Sequence, residues 1–380
     1  MNQHFFVIGG GELQLDFIRK VKSLGYITHV FDYNPECQGS KLADYFHLIS
    51  IDDVEGIYKV ALEYNPVAVQ TVATEMGNVT ACAIGERLGL RNNSLDTALN
   101  TTDKSRMKKI MNSHQIPTAK SIMLKENFDV SNVRLQFPVV VKASDRSASR
   151  GVTFANNSQE FERAYKEAVK VSFNKIVLVE EFLLGKQYSV ETISSDGVHH
   201  IVAVTEENTD GIPNFVETKH LMPARLSNVE YDKLKTFIIE VLDAFHVKYG
   251  AGHIELKYCN GEWKVIEIAS RMGGWRDKLA ELSMGIDYLK LIIDAAVGNS
   301  IRIEKLHNRY AIVRMLTSSI EWNKYLFFKS NYSQYLCDES IKKQNQSKNP
   351  NFQAKTLMES DGWYYLVTDS LAKAGYFMED

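Results

Sequence analysis

The chain has 380 residues, enough for two or three domains around a sizeable core. Its 44% hydrophobic and 24% charged residues are those of a soluble globular protein, and a net charge of −3 argues against a general binder of nucleic acid or membrane surfaces. Four scattered cysteines (Cys37, Cys82, Cys259, Cys337) fit a reducing compartment, and no basic leader or run of roughly 20 apolar residues occurs, so a cytoplasmic protein is expected.

The first segment, FFVI at residues 5–8, is a strand entering Gly9, Gly10 and Gly11. An amphipathic helix, ELQLDFIRKVKSLG, closes on Gly25, and the strands THVFD and AVQTVA alternate with a helix over GNVTACAIGERLGL. This βαβαβ rhythm predicts a small parallel sheet covered by helices. The glycines resemble a dinucleotide fingerprint, and Asp32 stands where a ribose-binding acid belongs. The third glycine, however, is Gln14, which argues for architecture and against a nicotinamide or flavin oxidoreductase.

From residue 101 the pattern changes. TTDKSRMKKIMNSHQIP predicts a capped basic helix beginning at Lys104. FPVVVKASDRSASRGV predicts a strand that plants Lys142 beside a polar loop with Arg146, Ser147, Ser149, Arg150 and Gly151, suited to folding over phosphates. KIVLVEEFLLGKQYSVETI predicts two strands broken at Gly185. GHIELKYCNGEWKVIEIASRMGG predicts a hairpin carrying Glu255 and Glu267, with Arg271 beyond it. One long helix is expected over Trp275–Val297, and ESIKKQNQSKNPNFQ reads as a surface loop or partly disordered segment. RYAIVRML and WYYLVTDSLAKAGYFM are β-rich and predict a C-terminal lobe packed back on the core.

The ordered set TDKSRMKKIMNSHQIPTA, FPVVVKASDRSASRGV, LVEEFLLGKQYSVE, HIELKY and VIEIASRMGG resembles the ATP-grasp superfamily of ligases, in its amino-acid ligase and carbamoyl-phosphate-synthase-like branch. The resemblance covers roughly residues 1–300. It implies an α/β and α+β architecture: a Rossmann-like pre-ATP-grasp domain (1–100), a first ATP-grasp lobe with the phosphate loop (101–185) and a second lobe with the metal site (186–305). Residues 306–380 form the C-terminal β-rich lobe. It also implies ATP and Mg2+ as cofactors, small-molecule carboxylate and amine substrates, no nucleic-acid or membrane partner, and compatibility with a homodimer.

Carried over by position, Lys104 and Lys142 hold ATP phosphates, helped by Ser147, Ser149 and Gly151. Glu180 or Glu181 reads the adenine amine, with Phe182 and Leu183 at the ring, and Gln187 replaces a ribose-binding glutamate. Glu255 and Glu267 hold magnesium, although Ala269 replaces an asparagine that often serves a second ion. Arg271 faces the γ-phosphate and the acyl phosphate, and Lys142 shares its catalytic role. Glu75, His220, His253 and Arg276 are candidate substrate contacts. The implied reaction is an ADP-forming carboxylate–amine ligation through an acyl phosphate. The alternatives are bicarbonate activation and a nucleotide-binding module without turnover.

Register makes a further demand. A two-residue Asn260-Gly261 turn would place Glu255 and Glu267 on opposite faces of the hairpin. The expectation is therefore a three-residue loop, Cys259-Asn260-Gly261, with Tyr258 opposite Glu262, His253 opposite Glu267, and Glu255 diagonal to Glu267.

Overall fold

The computed structural model describes residues 3–129, 133–146, 150–213, 215–342 and 351–379, which form three sheets. The first is parallel, in the order β3 (Tyr45–Leu48), β2 (Ile27–Asp32), β1 (His4–Ile8), β4 (Ala68–Gln70). Phe5 through Ile8 are fully buried because helices cover both faces of a parallel sheet, which accounts for the unbroken apolar run.

The opening glycines serve this sheet. Gly9 takes φ +102, and Gly10 N–H donates to Asp32 Oδ2 at 2.8 Å, so Asp32 clamps the turn. Gln14 folds back against Gly9. Its side-chain oxygen accepts from Val72 N–H at 3.1 Å, and its amide nitrogen donates to Thr71 Oγ1 at 3.2 Å. The residue in the third-glycine position thus ties β1 to the end of β4.

His29 stands in a column of imidazoles on this sheet: His4 Nδ1 lies 2.8 Å from His29 Nε2, and His29 Nδ1 lies 2.9 Å from His47 Nε2. The rings of Phe6, Tyr45 and Tyr64 close around it, with Asp44 and Glu63 the nearby acids. Burial, reinforced by His47 and His4, pushes the His29 pKa down to about 4. The unfolded chain then takes a proton near pH 6.5 that the folded chain refuses, so stability is lost as pH falls from 6.5 toward 4. The melting midpoint should drop across that window, and His29→Phe should flatten the drop; equal pH slopes for the two proteins would contradict this.

The second sheet is antiparallel: β5 (Ser121–Lys125), β8 (Ile176–Glu181), β6 (Val139–Ala143), β7 (Val152–Ala155). The helix Lys104–Ser113 leads into it, started by Asp103, whose carboxylate accepts from Ser105 and Arg106 N–H.

The third sheet has eight strands in the order β13 (Glu262–Ala269), β12 (Gly250–Cys259), β9 (Lys186–Ser195), β10 (Val198–Thr209), β11 (Glu217–Met222), β14 (Tyr310–Met315), β16 (Gly362–Thr368), β15 (Leu336–Ile341). The C-terminal strands continue the sheet that carries the hairpin. Residues 339–341, expected in a loop, belong to edge strand β15, while 343–350 of that segment lie outside the described residues.

The helix expected over Trp275–Val297 is two helices, Arg276–Met284 and Tyr288–Val297. Gly285 ends the first at φ +67, and Asp287 caps the second by accepting from Lys290 N–H at 3.0 Å. The second helix packs on Leu15–Ser23, with Phe17, Ile18, Val21, Leu289 and Ile292 in one core that joins the first domain to the large sheet. Among the described residues, no helix is long and apolar enough to cross a membrane.

The hairpin corrects the predicted loop. Asn260 (φ +51) and Gly261 (φ +86) form a two-residue turn of type I′, and Cys259 pairs with Glu262. Leu256 pairs with Val265 and Glu255 with Glu267, so Ile266 is an extra residue, a β-bulge. The bulge restores the parity that the short turn would have cost, and both glutamates share one face. His253 faces Ala269, not Glu267. Next to the bulge, Val265 N–H donates to Pro117 O at 2.8 Å and Val265 O accepts from Thr118 Oγ1 at 2.7 Å, so the segment between the helix Lys104–Ser113 and β5 holds this edge.

Candidate active site

A cavity of about 620 Å³ opens between the first domain, the two lobes and the C-terminal segment. The structure brings Lys104, Lys142, Glu180, Glu181, Phe182 and Leu183 to its wall from the first lobe. Gln187, His253, Glu255, Glu267, Arg271 and Arg276 come from the large sheet and the loop after it, and Glu75 from the first domain. Gly151 and His220 are not on the wall. Ser147 and Ser149 lie outside the described residues.

Lys142 ends the apolar run of β6, which plants its ammonium at the cavity 2.5 Å from Glu180 Oε2. Burial pulls the Lys142 pKa down, but Glu180 outweighs it and the net shift is upward, so the charge persists. Glu180 is also buried, which pushes its carboxyl up, yet Lys142 and Lys108 together hold it at about 2. Both carboxylate oxygens of Glu180 are therefore taken by ammonium groups, Lys108 lying 2.5 Å from Oε1. This side chain anchors lysines and is not free to read a base. Glu181 Oε1 accepts from Lys120 N–H at 3.0 Å. Phe182 packs against Phe154 and Phe215, and Phe182, Phe215, Val140, Val152 and Ile266 make one end of the cavity apolar.

The hairpin glutamates are neutralised within the protein. Lys104 Nζ donates to Glu267 Oε1 at 2.9 Å and to Arg146 O at 2.7 Å. His253 Nε2 lies 3.5 Å from Glu255 Oε1. Burial pushes Glu255 up, but His253, Lys104 and Lys142 bring it down to about 2. Two carboxylates from directly paired strand positions thus face one space. They offer hard oxygen donors of the kind magnesium takes together with water and substrate phosphates. Among the described residues, no group of three or more His, Cys, Asp or Glu forms a closed metal cage.

Arg271 pairs with Glu75 across the domain boundary, and its Nη1 donates to Met272 O at 2.9 Å. Arg276 is 2% exposed and pairs with Glu207 at 2.5 Å. His220 lies behind that pair, its Nδ1 3.3 Å from Arg276 Nη2 and its Nε2 3.1 Å from Glu217. Burial and then Arg276 push the His220 pKa down to about 3, so the ring is a neutral support and not a cavity contact.

Beneath the wall, Glu191 gathers several groups: His253 Nδ1, Gly273 N–H at 3.1 Å, Arg276 Nε at 3.6 Å and Tyr288 OH at 3.4 Å. Glu207 joins Arg276 to Gln187, whose Nε2 donates to it at 2.9 Å. Sequence reasoning missed Lys108, Glu191, Glu207 and Glu217. Lys108 had a signal in its four-residue spacing from Lys104, which puts both on one helix face. Glu191, inside the apolar run YSVETI, had another.

Residues 135–278 match the family model described as ATP-grasp domain, so the chain carries that domain. Alanine–anticapsin ligase of Bacillus subtilis (strain 168) is 27% identical over 268 residues, covering 63% of this chain and 56% of that protein. The L-amino acid ligase of Bacillus licheniformis superposes with a TM-score of 0.80 at 18% identity, covering 99% of this chain and 96% of that one. N5-carboxyaminoimidazole synthetase of Staphylococcus aureus, complexed with ADP, gives 0.79 at 17% identity, with 100% and 97% covered. The aligned region thus spans little more than half of the curated relative, and the solved structures establish the fold.

Proposed function

We propose that the chain is an ATP-dependent, ADP-forming ligase that activates a carboxylate as an acyl phosphate and transfers the acyl group to an amine, with an amino acid as the acid. The observation that carries this reading is the convergence in one cavity of Lys104 and Lys142, the paired glutamates Glu255 and Glu267, and Arg271. The relatives named as ligases of alanine or L-amino acids support the substrate class.

The apolar end around Phe182 and Leu183 takes the adenine. Lys104 and Lys142 hold phosphate oxygens and spread their negative charge, which is most of what phosphoryl transfer asks of a protein. Glu255 and Glu267 would hold magnesium, which when bound neutralises charge on the phosphates. Arg271 and Arg276 border the space beyond the phosphates, where they orient the acid's carboxylate. A carboxylate oxygen attacks the γ-phosphorus and ADP leaves. The amine nitrogen then attacks the acyl carbon, Arg271 steadies the developing oxyanion, and the phosphate departs with the electron pair of the broken C–O bond and takes up the proton the amine gives up.

The test is ADP release from MgATP across a panel of amino acids, alone and in pairs, and bicarbonate. Release should require a carboxylic acid, and the coupled product should have the mass of acid plus amine less water. Release with bicarbonate alone would select the carboxylating rival, and ATP binding without turnover on any acid would select the non-catalytic module.

A further inference from the structure

Lys108 lies one helical turn beyond Lys104, 2% exposed and off the cavity wall. Its Nζ is 2.5 Å from Glu180 Oε1 and donates to Thr118 Oγ1 at 2.5 Å and Ala119 O at 3.4 Å. Glu180 Oε2 is 2.5 Å from Lys142 Nζ. The three side chains form a buried row of ammonium, carboxylate and ammonium, of which Glu180 and Lys142 reach the cavity.

A buried ion pair is weak evidence for stability, since apolar side chains of similar volume often do as well. For Lys108, burial together with the neighbouring Lys142 charge lowers the ammonium pKa more than Glu180 raises it. The row makes sense as an electrostatic arrangement. With both lysines present it presents one net positive charge. Without Lys108, the carboxylate would bear on Lys142 alone, and the pair at the wall would be neutral.

We propose that Lys108 is a positioning residue for nucleotide phosphates: by occupying Glu180 Oε1 it shares the hold of that carboxylate on Lys142 and leaves the Lys142 ammonium able to turn to a phosphate. Lys108 acts through Glu180 and touches no substrate. The inference rests on the reading that the cavity takes ATP.

The experiment is calorimetric titration of wild type, Lys108→Met and Lys108→Met/Glu180→Gln with MgATP and with AMP. AMP shares the adenosine and the first phosphate and lacks the outer two, so it reports the base end with one phosphate and checks the fold. Lys108→Met should weaken MgATP about tenfold and leave AMP within about twofold. The double variant, in which Glu267 and Glu255 still favour the Lys142 ammonium and Glu180 no longer competes for it, should recover MgATP affinity and remains informative if the single variant folds poorly. Unchanged MgATP affinity in Lys108→Met, equal losses for MgATP and AMP, or a selective MgATP loss in the double variant would each overturn the inference alone. A wild type that binds neither nucleotide would overturn the ATP reading and this inference with it.

Discussion

Lys142→Ala should cut acid-dependent ADP release by about 10²–10³-fold, the usual loss when one preorganised donor to a charged transition state is removed, while the protein stays folded. Lys142 projects from a rigid strand into the cavity and keeps its charge because Glu180 outweighs the cost of burial. The fold survives because Glu180 retains Lys108 at 2.5 Å, so no carboxylate is left buried without a counter-ion. Circular dichroism and the melting midpoint report the fold, and a coupled ADP assay reports turnover. Near-normal release by a folded variant would remove Lys142 from the phosphate site.

Glu191→Leu should have the largest effect on stability, a loss of about 3–5 kcal/mol, the range for removing one partner of a buried ion pair. Glu191 is fully buried and receives His253, Gly273 N–H, Arg276 and Tyr288 OH. Leucine matches its bulk and accepts nothing, so the His253 and Arg276 charges lose a neighbour and Gly273 N–H loses its acceptor. Glu191→Gln keeps acceptor oxygen and should fall between leucine and wild type. Urea unfolding of the three proteins measures the order, and a leucine variant as stable as wild type would show that the hub contributes nothing.

Much of the site was legible because its parts are local patterns. An apolar run that ends in a lysine puts that lysine at a strand end, and Lys142 is there. Asn-Gly between β-like runs makes a hairpin, and Glu255 and Glu267 are on it. The helix at Lys104 was readable from its Asp103 cap and basic face. The mistaken hairpin register has a definite cause. Counting from the turn requires that no residue be inserted between the turn and the site, and Ile266 is such a residue. Its bulge lies beside Val265, whose backbone is held by Pro117 and Thr118, nearly 150 residues away. His220 was expected to be a substrate contact, but Arg276, 56 residues farther along the chain, packs against it and leaves it fully buried.

By itself, then, the sequence determined which segments are strands and helices at the site and which charges ride on them, since these follow from periodicity, caps and turn residues spanning a few positions. Only the tertiary structure decided which charge answers which. Lys104 meets Glu267, Arg271 meets Glu75 and Lys108 shares Glu180 with Lys142, because these partners come from segments separated by 38 to 196 residues. A buried charge takes its counter-ion from whatever packing places within a few ångströms, and no spacing along one chain segment encodes that neighbour.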